Sequence, residues 1–334
     1  MMILHIKIPN IIGMNNLKIP IALLSLTLIF SSLYFLNYQA IYSQTSEDPK
    51  SLNCKDNKDQ SQYVSNVASN DSKVAGPVTN DLDGFHYVKK FDSNGTLITA
   101  WGTKGTGPGQ FLHAHGITVD SDGNVYVSDA EKCNVQKFDS DGNFITMWGS
   151  KGRADSQFIK PWGVAVDSSD NVYISDQDNP EVQKFSNDGK FLTKWNSYSP
   201  GVLFVHLHDI TVDSNDSVYV TDGRNNSYIA KFDDQGIFEK KWGGFGYGNG
   251  HFVENHGIVT DKEGNVYVVD TRNVRVQKFN SEGEFITKWG SLGCPDDHFL
   301  IPHDIAIDSS GNIYVSDSGN VHFRAQKTCE SFEN

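Results

Sequence analysis

Four histidines occupy one position of an internal repeat. Aligned on the residue before Gly-Ile or Asp-Ile, the copies read His115-Gly116, Trp162-Gly163, His208-Asp209, His256-Gly257 and His303-Asp304. The whole chain holds 11 His in 334 residues, so four at one repeat position is not compositional drift. His115, His208 and His303 are separated by 93 and 95 residues, two repeats each time. Three neutral imidazoles converging on a point form a zinc site with an open fourth position, the pattern of catalytic zinc. His256 fits a fourth ligand, a hydrogen-bond donor behind a ligand, or a proton shuttle. Asp209 and Asp304 stand where they could orient imidazoles or bind a second cation. Arg224 and Arg272 follow the second strand of their repeats, and a guanidinium fork holds a carboxylate through two hydrogen bonds. A single His at such a position is more often a rim residue with local hydrogen bonds. The alternate-repeat spacing is what makes a metal site worth testing.

The elements that must position these residues repeat with a fixed period. Trp101, Trp148, Trp195, Trp242 and Trp289 are spaced 47 residues apart each time. Each closes the same phrase, for example residues 115–120, 123–129, 135–138 and 142–148. Val, Ile, Tyr and Phe runs favour strands, and Asp-Gly or Gly-Asn pairs accept tight turns. Four strands in about 40 to 50 residues describe one propeller blade. No stretch between residues 80 and 327 shows the 3.6-residue apolar spacing of a helical solenoid. The fold expected is all-β, a propeller of four-stranded blades over residues 81–334. Inner strands begin near His115, Trp162, His208, His256 and His303, so equivalent residues ring one end of the channel. The chain opens on outer strands and ends on inner ones, which suits closure by a shared blade. Five blades follow from a strict count. Six follow if residues 64–76 add degenerate inner strands and residues 321–327 an outer one. In a six-bladed ring, alternate blades lie about 120° apart. The recurrent Asp120, Asp167, Asp213, Asp261 and Asp308, and Asp129, Asp176, Asp222, Asp270 and Asp317, read as turn and strand-end hydrogen bonders.

Residues 19–36 are apolar except for Ser, Thr, Tyr and Pro, with Lys7 and Lys18 before them. A basic flank before such a run marks a signal peptide or a membrane anchor over residues 1–42. Its length is just enough to span a bilayer. Both readings place the propeller outside the cytoplasm, secreted or anchored. Residues 43–80 are polar and read as a linker. Cys54, Cys133, Cys294 and Cys329 permit two disulfides, consistent with export, and free buried thiols are the equal alternative. A Cys54–Cys329 bridge would lock the ring. The net charge of −13 argues against nucleic acid as a partner.

The phrases Gly-Ile-Thr-Val-Asp, Gly-Asn-Val-Tyr-Val-Ser-Asp and Val-Gln-Lys-Phe resemble the NHL repeat over residues 85–327. That resemblance implies six blades and a platform that binds a protein or glycan ligand on one face. The His ring is further similar to the peptidyl-hydroxyglycine amidating lyase branch. That family holds zinc through three His on alternate blades, and Pro302-His303-Asp304-Ile305 and His115-Gly116-Ile117 match its phrases. The resemblance implies zinc on His115, His208 and His303, and a structural calcium on Asp304 and the Ile117 carbonyl. Arg224 and Arg272 would serve catalysis with His256. The departures are specific. Where the family has a catalytic Tyr, this chain has Gln177-Asp178-Asn179, and its Arg residues fall one position late. The sequence therefore favours an extracytoplasmic binding platform, with a zinc-dependent lyase as the competing expectation.

Overall fold

The computed structural model describes residues 72–75, 86–92, 96–196, 201–224, 226–293, 298–317 and 324–328. The expected signal or anchor (residues 1–42), most of the linker, Cys54, Cys294 and Cys329 lie outside them. Among the described residues no helix is long and apolar enough to cross a membrane. The only helical element there is the 3-10 turn Thr271–Asn273.

The described residues form six antiparallel sheets of three or four strands, with strand order equal to chain order in each. The second sheet runs Ala114–Val119, Val125–Asp129, Asn134–Phe138 and Phe144–Trp148. The third to fifth repeat that pattern, ending at Asn196, Gly243 and Trp289. The first has Ser72–Ala75, Val88–Asp92 and Leu97–Trp101, and the sixth has Pro302–Ile307, Ile313–Asp317 and Arg324–Thr328. The first strands of the second to sixth sheets lie side by side in chain order. This is a propeller built of up-and-down sheets that radiate from an axis.

The burial pattern explains which strand goes where. In the second sheet, Val125–Asp129 and Asn134–Phe138 are buried at every residue, because neighbouring sheets cover both faces. Phe144–Trp148 is exposed at three of its five residues and buried at none, as an outer edge should be. Each repeat Trp reaches forward to the next sheet. Trp101 packs on Phe138, Trp148 on Phe185, Trp195 on Phe232 and Trp242 on Phe279, with ring centroids 5.6–6.0 Å apart. A Gly in the next sheet's turn makes room. At Gly236, φ is +80° and an added Cβ would sit 2.3 Å from the Trp195 ring. The 47-residue period is thus the period of an intersheet contact.

The recurrent aspartates are structural. The Asp120 carboxylate accepts from the Asn124 backbone N–H at 2.7 Å and from the Tyr126 hydroxyl at 2.9 Å, closing the turn between the first two strands. Asp167, Asp213, Asp261 and Asp308 bind Tyr173, Tyr219, Tyr267 and Tyr314 in the same way. Cys133 is a free, buried thiol, so it forms no disulfide.

Candidate functional site

The first strand of each of these five sheets carries an irregularity where the ring residue sits. Pairing slips between Ala114 and Ile117, Pro161 and Val164, Leu207 and Ile210, Asn255 and Ile258, and Pro302 and Asp304. A bulge there re-aims side chains that a regular ladder would send into the intersheet core. The bulge is latched from the second strand. The Ser128 hydroxyl accepts from the Gly116 N–H at 2.8 Å and donates to the Trp162 carbonyl of the next sheet at 2.6 Å. Thr221 does the same for the Asp209 N–H and the His256 carbonyl, at 2.9 and 2.8 Å. The strand-end aspartates fix the loop just before. Asp129 accepts the N–H groups of Leu112 and His113, and Asp222 those of Val205 and His206.

So held, His115, His208, His256 and His303 gather with Trp162 around one cavity of about 30 Å³, which Ile117, Asp209 and Asp304 also line. That volume is enough for a water or an ion. The rings contact in sequence. His115 lies on Trp162 at 3.6 Å between centroids, His208 stacks on His256 at 3.9 Å, and His256 meets His303 at 4.4 Å. His115 and His303 stand 6.5 Å apart.

The hydrogen bonds show how the imidazoles are used. His256 Nδ1 lies 2.9 Å from His303 Nε2, and His206 Nδ1 lies 3.1 Å from His208 Nε2. Two of the three expected zinc ligands therefore turn Nε2 toward another imidazole rather than toward a shared point. Among the described residues no group of three His, Cys, Asp or Glu is disposed to hold a metal ion. Ile117 is 3 % exposed, with its side chain in the core of the second sheet.

Both arginines lie at the end of the axis that carries the ring. Arg272 pairs with Glu254 through Nε, and Glu254 Oε1 lies 3.8 Å from His256 Nε2. Arg224 is exposed, and its charge acts on the His206 ring. Sequence reasoning missed Glu254 and His206. Both lie two residues before a ring residue, in a column that reads His113, Lys160, His206, Glu254 and Ile301. The signal available was a charged or imidazole side chain at four of those five places. Glu254 has φ +61°, where a non-glycine residue is strained, while its carboxylate is engaged on both sides.

Electrostatics follow burial. Desolvation pushes His115 well below the ordinary imidazole value, and neighbouring His303 and His113 add to it. Desolvation also lowers His208 strongly, and lowers His303 to about 3. These rings are neutral at physiological pH. The nearby His256 ring, together with the Arg272 guanidinium, draws Glu254 down to about 2. Deeper in the channel, desolvation raises Asp209 to about 6. It raises Asp304 well above the carboxylate range, with the Asp209 charge adding to the effect.

An NHL repeat pattern matches residues 111–138, 158–185, 256–279 and 299–323. The chain carries NHL repeats. The copy holding His208 and Asp209 falls outside the four matched segments. Comparison with curated proteins finds no match. Among solved structures, virginiamycin B lyase from Staphylococcus aureus is similar at TM-score 0.56 and 14% identity, over 83% of this chain and 87% of that one. A streptogramin B lyase is similar at TM-score 0.55 and 13% identity, over 82% and 86%. A Bacteroides thetaiotaomicron protein of unknown function is similar at TM-score 0.57 and 16% identity, over 80% of this chain and 68% of that one. At these identities the likeness establishes the propeller fold and nothing about reactions.

Proposed function

We propose that this chain is an extracytoplasmic NHL-repeat propeller that binds a protein or glycan ligand across the His-ringed mouth of its channel. The observation that carries this reading is the mouth itself. It combines aromatic rings, imidazoles and charged side chains in one place, above a cavity of about 30 Å³. A macromolecular ligand would lie across the rim. Export is supported by the apolar run at residues 19–36 behind Lys7 and Lys18. The test is to screen the full chain against a displayed random-peptide library and a glycan array. Retained ligands should lose affinity for the H206E/R272E variant and keep it for K262E, changed at the opposite end. Retention of nothing, or loss on K262E alone, would sink the proposal.

A metal ion at the mouth is the second reading. The observation that favours it is burial, which keeps His115, His208 and His303 neutral with a lone pair on each ring. Zinc binding would require His208 and His303 to exchange their imidazole partners for the ion, and Asp304 with the Ile117 carbonyl would then be the place for calcium. Equilibrium dialysis against zinc and calcium, with H115A/H208A/H303A and D304N as controls, decides it. No stoichiometric uptake removes this reading.

A further inference from the structure

Several cations at this end of the axis have an intramolecular partner. Arg272 pairs with Glu254, and Arg275 with Asp270. Arg153 bonds the Asn179 side chain, and Lys132 the carbonyls of Gly107 and Gln110. Lys160 and Arg224 take part in no ion pair or hydrogen bond through their side chains among the described residues. They belong to neighbouring sheets and act on one imidazole. His206 is lowered first by burial, then by Arg224, with Lys160 in the same sense and Asp178 and Asp222 opposing.

Lys160 is held in place. Its Nζ lies 4.5 Å from the centroid of the Trp162 ring, whose other contact is His115 at 3.6 Å. A cation over an aromatic face is attracted to it and loses little further freedom on meeting an anion. In a chain of net charge −13, two cations without ion-pair partners stand beside one imidazole, where Asp178 and Asp222 oppose them. Beside them, the loop that leads to His206 exposes apolar side chains, Leu203 at 61% and Val205 at 37%. The loop entering the next sheet exposes Phe245 and Tyr247, at 50% and 71%, with their rings 6.2 Å apart. Aliphatic and aromatic tips around a charged spot match the anatomy of a protein-binding patch. A glycan would call for more hydrogen-bonding groups than this sector offers.

We propose that the rim sector formed by Lys160, Arg224 and His206, with Leu203 and Val205 beside it, docks a partner protein through an acidic side chain flanked by apolar residues. The proposal rests on the platform reading and deepens it by naming the sector and the partner chemistry. The cations engage the carboxylate, and the loop tips cover the flanking apolar residues and exclude water from the pair.

The probe is a random-peptide display library with blocked carboxyl termini, selected on the full chain at low salt and compared with K160A, R224A and L203S. The expected result is enrichment of peptides with Asp or Glu between apolar residues. Each single variant should weaken them by about tenfold, and added salt should weaken the wild-type interaction. Unchanged circular dichroism and melting temperature show that the variants fold. Peptides that lack an acid, or that bind K160A and R224A as tightly as wild type, overturn the sector while leaving the platform intact. If no peptide is enriched and oligouronates bind instead, with loss in K160A/R224A, the partner is a glycan and the protein proposal fails.

Discussion

Trp195 offers the sharpest test of how the sheets hold one another. It is 4% exposed and packs on Phe232 at 5.6 Å and Tyr173 at 6.1 Å between ring centroids. A buried aromatic of this size removes about 150–250 Å² from water, which at about 25 cal/mol per Å² is roughly 4–6 kcal/mol. Trp195→Ala should therefore cost about 3–5 kcal/mol, allowing for partial collapse of the gap. That is a large share of the roughly 5–15 kcal/mol that stabilises a domain. Leu192→Ala, on the same strand but 44% exposed, should cost under about 0.5 kcal/mol. Gly236 supplies the second axis of a cycle. Gly236→Ala meets two penalties, the left-handed φ of +80° and a Cβ placed 2.3 Å from the Trp195 ring. Without the indole only the backbone penalty remains, about 1–2 kcal/mol. The two substitutions should thus couple by more than about 1 kcal/mol in urea titrations of all four proteins. Simple additivity would refute the claim that the turn glycine exists to admit the indole. A cost below about 1 kcal/mol for Trp195→Ala would refute the intersheet account of the period.

Two further outcomes follow from the channel and the core. Asp209, raised to about 6 from 3.8, holds its proton to a higher pH when folded than when unfolded. Its contribution is therefore most favourable below pH 4 and is lost as pH rises through 6. In chelator, Asp209→Asn should gain on wild type between pH 4 and 7 by up to about 3 kcal/mol, less whatever solvent screening removes; a pH-independent difference contradicts this. Burial raises the Cys133 thiol, so it should react with a disulfide reagent only as the protein unfolds in urea. Rapid labelling of the native protein would show that the intersheet seam opens.

The fold was legible because its defining contact recurs at a fixed spacing. Trp101, Trp148, Trp195 and Trp242 each meet a Phe of the following sheet, so one geometric need was written four times in the sequence. The ring position was legible for a related reason, since Ser128, Ser175, Thr221 and Ser316 latch the same bulge. The partners of the imidazoles were not. The spacing of His115, His208 and His303 pointed to alternate sheets sharing one ion. In the structure neighbouring rings interact instead, because adjacent first strands bring His208 within 3.9 Å of His256 and His256 within 4.4 Å of His303. The ends to which Arg224 and Arg272 reach also depended on loops. Glu254 captures Arg272 from a left-handed backbone position that no residue pattern announces.

The repeats separate scaffold from site within this single chain. Tyr126, Tyr173, Tyr219, Tyr267 and Tyr314, with their aspartates, do the same work in every copy. Three columns at the mouth do not repeat. The ring column has Trp162 in place of His, the column two residues earlier reads His, Lys, His, Glu and Ile, and the column after the ring has Gly at three places and Asp209 and Asp304 at the other two. The latch bonds go to backbone N–H and C=O groups, so they leave the side chains of these columns free to vary without altering the strand. Gly163 and Gly257 show the limit of that freedom, since a Cβ there would fall 2.8 Å from Asp209 Oδ1 and 2.7 Å from Asp304 Oδ1. Each Asp fills the space left by a Gly of the preceding sheet. A residue that repeats in all copies serves the sheet, and one that departs from its column serves the mouth. By that criterion the scaffold is set by Lys160 and Glu254 no more than by the other members of their column, and both stand at the mouth.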